Sequence, residues 1–211
     1  MDADSFRDAV EATVQTELDR LGSSKRLVAV TGADLSPETV LARAAASEAA
    51  AADVFADFAA ASEADGAESA AETFAALAET EREHFDRVTE ELGDEVDAEP
   101  GAVHEFLRGQ DDVVSRTAAI VGRGLVADRT LAQFVGFFVN DADETRADLF
   151  RDLRDDTRRD TDRALDVLGA HCESDADWGR AEDAAVGAVE AAYDEYVAAL
   201  HEMGVDAKSV C

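Results

Sequence analysis

Between Phe74 and Leu92, the residues Phe74, Leu77, Val88 and Leu92 mark one face of a helix at three- and four-residue steps. Continued through the gap, the same stripe passes through Glu81 and His84. No other feature restricts the fold as strongly. A carboxylate and an imidazole turned into a helical core are costly unless paired, protonated or bound to a metal. Whatever packs against this helix must answer them.

The same periodicity predicts helices along most of the chain. Residues 2–22 carry Phe6, Val10, Val14, Leu18 and Leu21, and Gly22 closes them. Ser36-Pro37-Glu38-Thr39 reads as a helix start, with a capping serine, a proline in the first turn and an acid at the positive dipole end. That helix runs to about 62, and Glu48 interrupts its inward residues Leu41, Ala52, Phe55 and Ala59. Further helices are expected over 113–139, 143–170 and 175–203. The first of these places Asp128 on its inward phase, between Val121 and Leu131. The second reads Phe150, Leu153, Thr157, Asp160, Ala164 and Val167. The last carries Trp178, Tyr193 and Tyr196 as packing residues.

Two stretches break the pattern. Ser23 to Ser36 reads as a connector whose Leu27-Val28-Ala29-Val30 run suits an extended segment. Residues 94–112 form a long link with a turn at Pro100-Gly101 and a short turn of helix near Val103 to Leu107, long enough to cross a bundle from end to end. Sustained alternation of β-branched residues is missing, so the expected class is all-α. The expected organisation is a single domain, 1–211, with an antiparallel four-helix bundle at about 37–172, a long crossover and added N- and C-terminal helices.

The chain also resembles itself. Residues 74–93 lie on 150–169 without gaps, Phe74 on Phe150, Leu77 on Leu153 and Leu92-Gly93 on Leu168-Gly169. Glu81 then meets Thr157, and His84 meets Asp160. A slightly different offset lays Glu48 on Asp128. Two related helical hairpins, 37–93 and 117–169, are implied.

Composition narrows the function. With 49 acidic against 19 basic residues the net charge is −30, and lysine occurs only at Lys25 and Lys208. No basic stripe is present to neutralise phosphates, which argues against nucleic acid and anionic membranes. No apolar run is long enough to span a bilayer. The acidic start Met1-Asp2-Ala3-Asp4 is unlike a signal peptide. Cys172 and Cys211 cannot build a disulfide framework or a four-cysteine metal site, so a reduced, cytoplasmic protein is expected. His104 and His201 read as surface residues.

Glu48, Glu81, His84, Asp128 and Asp160 thus fall on the inward stripes of four successive helices. Carboxylate oxygen and imidazole nitrogen suit iron, manganese or zinc. Helix-borne carboxylates with a Glu-x-x-His pair facing into a four-helix bundle are the pattern of ferritin-like metal proteins. On Glu48, Glu81-x-x-His84 and the long crossover, the chain resembles the ferritin-like superfamily, nearest its rubrerythrin-like branch. The resemblance implies a non-haem iron protein, of the di-iron oxidoreductase type acting on peroxide or ferrous iron, and a homodimer. It departs in its second half. Asp128 is shorter than the family's glutamate, Thr157-Arg158-Arg159-Asp160 replaces a second Glu-x-x-His, and the cysteine quartet of a rubredoxin-like domain is missing. An altered dinuclear site, a mononuclear site and a metal-free helical scaffold or regulatory protein all remain open.

The acidic, lysine-poor surface suits the salt-rich cytoplasm of a halophilic organism. Screening the self-repulsion of such a surface stabilises the compact state. Thermal and urea unfolding should therefore become harder as potassium chloride rises to molar levels, and a fall in stability with salt would contradict this.

Overall fold

The computed structural model describes residues 1–93, 96 and 101–207, so Pro100, Lys208 and Cys211 lie outside the described residues. Among the described residues there are nine helices and no strand: α1 (Ala3–Thr13), α2 (Gln15–Leu21), α3 (Ser24–Thr31), α4 (Pro37–Ala64), α5 (Glu68–Leu92), α6 (Ala102–Arg108), α7 (Val113–Asn140), α8 (Glu144–His171) and α9 (Asp175–Glu202). Their ends follow local chemistry. Ser36 Oγ accepts the Thr39 N–H at the start of α4, and Asp112 accepts the Ser115 N–H at the start of α7. Ser174 and Asp177 form a capping box on α9. Gly93, at φ 71°, ends α5 in the left-handed conformation that glycine adopts without penalty.

Helices α4 and α5 pack as one hairpin and α7 and α8 as another. The hairpins meet mainly through α5 against α8, and α9 lies along α7. This is an all-α, ferritin-like bundle with helices added at both ends. Its core is divided into two apolar clusters. The larger contains Phe55, Leu77, Ala119 and Leu168 and takes in α1, α2 and α9. The smaller contains Leu41, Val88, Phe134, Phe138 and Phe150. On α4, α5 and α8 the division falls at Glu48, at Glu81 with His84, and at Thr157 with Asp160. A polar layer therefore crosses the middle of the bundle.

Two segments differ from the sequence expectation. The N-terminal helix is divided at Val14, whose φ and ψ leave the helical range. The stretch read as an extended connector is the helix α3. A lone strand there would have no backbone partner, whereas a helix satisfies its own hydrogen bonds. The helix also buries Arg26 and Ala29 on one face and packs against α7 and α9. That packing outweighs the weak helix propensity of its two valines.

Close helix approach depends on Gly122 and Gly124. A Cβ at Gly122 would lie 2.3 Å from the Ala185 carbonyl oxygen on α9, and one at Gly124 would lie 2.1 Å from Thr161 Oγ1 on α8. The Gly122 contact is with backbone and has no flexible atom to yield. Gly122→Ala should thus destabilise the fold by about 1–3 kcal/mol. Gly136→Ala on the same helix meets no atom within 4 Å and should be neutral or stabilising by up to about 1 kcal/mol. Urea denaturation of the two variants checks the contrast; equal effects would contradict the packing described.

Candidate metal centre

The polar layer gathers around four buried side chains. Glu48 comes from α4, Glu81 and His84 from one face of α5, and Arg123 from α7. Each is at most 4% exposed. Arg123 makes a two-pronged contact with Glu81, Nη1 donating to Oε1 at 2.5 Å and Nη2 to Oε2 at 3.2 Å. Nη2 also donates to Glu48 Oε2 at 3.4 Å. Its guanidinium packs over the Phe55 ring, 5.6 Å from the centroid.

His84 is held from its outer side. Its Nε2 lies 3.3 Å from Asp156 Oδ2 on α8, and Asp156 is itself ion-paired with Arg159. An accepting carboxylate places the ring proton on Nε2 and leaves Nδ1 facing inward. Nδ1 is 3.8 Å from both Glu48 Oε2 and Glu81 Oε2, and it has no hydrogen-bond partner. These separations exceed a hydrogen bond. They do fit donors sharing one ion, since ligand bonds of about 2.1 Å put donor atoms about 3 to 4 Å apart. One ligand atom from each of Glu48, Glu81 and His84 lies within 4.8 Å of the others.

The electrostatics show the same pull toward a cation. Burial pushes the Glu48 carboxyl up, but contacts with Glu81 and His84 and the Arg123 charge more than offset it, leaving Glu48 at about 2. Burial raises Glu81, and Arg123 offsets only part of that rise. Burial lowers His84, yet the two carboxylates hold it at about 9. Without a metal, a proton on His84 would be the second positive charge beside Arg123.

Of the other expected ligands, Asp128 stands elsewhere, and Asp160 lies at the edge of the layer, within electrostatic reach of Glu81 and His84. Asp128 does not join the group. It accepts from Arg154 Nε at 2.9 Å and from Arg158 Nε at 2.7 Å, between α7 and α8. Burial raises its carboxyl, and these arginines more than offset it. Asp160 is buried near the layer, but its Oδ1 accepts from Arg163 Nη1 at 2.9 Å. Thr157 Oγ1 donates to the Leu153 carbonyl at 2.9 Å. The residues present therefore fit one metal. Among the described residues no second group of three ligands gathers, and the Arg123 guanidinium already occupies one side of Glu81 and Glu48.

Sequence reasoning missed Arg123 and Asp156. Arg123 had a signal, being the one charged residue between Thr117 and Ala127, with a glycine on each side. Asp156 lies in the mixed Arg-Asp run of α8, where nothing sets it apart. His104, expected at the surface, is 3% exposed, because α6 folds back against α9 and α4.

The sign of the His84 shift gives a pH dependence for the metal-free protein. Its pKa is about 9 folded against 6.5 unperturbed, so its contribution is complete below about 6.5 and is lost as pH rises through 9. Chelator-treated protein should lose up to about 3 kcal/mol of stability over that window. His84→Gln should be nearly flat there, and equal slopes by chemical denaturation would contradict the assignment.

Residues 39–113 match the family model described as Rubrerythrin. The matched segment includes Glu48, Glu81 and His84 and ends where α7 begins, before Arg123. No curated protein matches the chain, and no solved structure does. The chain thus carries a rubrerythrin-like segment, 39–113, within a ferritin-like helical fold.

Proposed function

We propose that this protein is a ferritin-like metal-binding protein that holds one divalent ion on Glu48, Glu81 and His84 Nδ1, and that it is an oxidoreductase acting on peroxide or ferrous iron. The observation that carries the metal reading is the buried, unpartnered His84 Nδ1 facing two carboxylates. Iron is favoured by the rubrerythrin-like segment, and manganese and zinc accept the same donors. Asp128 and Asp160 act as structural ion-pair partners rather than ligands.

Arg123 sets the stoichiometry. Two carboxylates carry two negative charges, and the guanidinium already balances one of them. A single divalent ion then leaves the group of Glu48, Glu81, a neutral His84 and Arg123 with one net positive charge, and a second would leave three, buried in a low-dielectric core. Arg123 also fixes the Glu81 carboxylate plane through its paired contacts. Asp156 orients the imidazole. The two apolar clusters limit water on either side of the layer. A bound iron or manganese would supply Lewis acidity and one-electron chemistry.

A second reading rests on the short Arg123–Glu81 pair, which satisfies much of the buried charge by itself. In that reading the fold is a metal-free helical scaffold. Elemental analysis of protein purified without chelator separates the two. About one equivalent of iron, manganese or zinc per chain is expected, falling to background in a Glu81→Ala, His84→Ala double variant. A metal-free wild type, or equal metal in the double variant, would overturn the proposal.

A further inference from the structure

A cavity of about 370 Å³ opens beside Glu48 and Arg123, walled by α3, α4, α6, α7 and α9. The added helices α3 and α9 complete it, so it is absent from the four-helix core alone. Its polar lining is under-satisfied. Both ring nitrogens of His104 and the Tyr196 hydroxyl are buried without a hydrogen-bond partner. These side chains are 3% and 1% exposed. Buried polar atoms are normally paired, and three orphans on two residues that line one cavity point to a ligand.

Arg26 adds a charge. It is 7% exposed, and its Nε donates to Thr130 Oγ1 at 3.2 Å. Among the described residues no carboxylate forms an ion pair with it. Glu195 on the same wall is the nearest negative charge acting on Arg26, at a separation longer than an ion pair, and the other acids are engaged or peripheral. Glu48 is bound by Arg123, Glu195 Oε1 accepts the Ala102 N–H at 3.0 Å, and Glu202 is exposed at the rim. Arg43, also exposed, stands at that rim. A buried guanidinium with four unused N–H groups is a fork that matches a carboxylate. Burial, with Arg123 next, holds His104 at about 3. The imidazole is therefore neutral at neutral pH and can donate one hydrogen bond.

The remaining wall is apolar, including Val126, Leu131, Phe134 and Met203. An apolar cavity of roughly 150 Å³ takes up benzene, and this one is more than twice as large. A bare inorganic anion would leave that wall uncovered.

We propose that this cavity binds a small monocarboxylic acid with an apolar body, the carboxylate held by Arg26 with Tyr196 and His104, and the body against Val126, Leu131 and Phe134. The site is independent of whether a metal occupies its neighbour.

Isothermal titration of the full chain with benzoate, with and without a chelator, tests this. Saturable one-to-one binding is expected in both conditions, weakened about tenfold by Arg26→Gln. Tyr196→Phe removes a hydroxyl with no partner in the protein, so it should weaken benzoate by about fivefold while leaving the melting temperature unchanged or raised. Ala199→Phe, on the cavity wall, should abolish binding in a chain whose circular dichroism stays helical. Absence of saturable benzoate binding, or unchanged affinity in Arg26→Gln, would overturn the proposal. So would inorganic phosphate competing as well as benzoate, which means a bare anion site. Binding lost on chelation would place the carboxylate on the metal and overturn it equally.

Discussion

The structure depends on one buried contact, the Arg123 guanidinium set against Glu81 and Glu48. Four ionisable side chains in the middle of a bundle would be prohibitive singly. Together they are arranged so that each carboxylate meets a cation, and each cation meets a carboxylate. Buried ion pairs seldom add net stability over an apolar core, but removing one partner is severe. The layer is better understood as specifying an arrangement of helices than as a source of stability. It fixes α4, α5 and α7 in one register, and Asp156 ties α8 to the same point through His84.

That register explains how the bundle is packed around it. Apolar clusters close the layer above and below, with Phe55 under the guanidinium. Gly122 and Gly124 flank Arg123 and let α9 and α8 approach α7 on either side, while the long side chain between them reaches across to α4 and α5. The asymmetry of the site follows. One half, from α4 and α5, keeps carboxylates and an imidazole. The other half supplies an arginine from α7, while Thr157 caps its own helix carbonyl and Asp128 serves an arginine cluster between α7 and α8.

Much of this was legible in the chain. Periodicity and caps located the long helices, because an amphipathic stripe and a Ser-Pro start are local signals. Glu48, Glu81 and His84 announced themselves by interrupting apolar stripes. Asp128 did the same, yet helical phase gives only a direction, and Arg154 and Arg158 on the facing helix claim its carboxylate. The reach of a side chain is also invisible to phase, so Arg123 could not be placed from its position alone. The α3 helix was hidden because its stabilisation comes from α7 and α9, distant in sequence. His104 was misread for the same reason, as its burial depends on α6 folding onto α9.

On the proposed reading one metal sits beside one arginine in the polar layer. Anomalous diffraction from crystals of the iron- or manganese-loaded protein tests it most directly. The account predicts a single buried anomalous peak per chain, bonded to Glu48, Glu81 and His84 Nδ1, with Arg123 next to it. Two peaks within the bundle, or a peak held by Asp128 or Asp160, would contradict it.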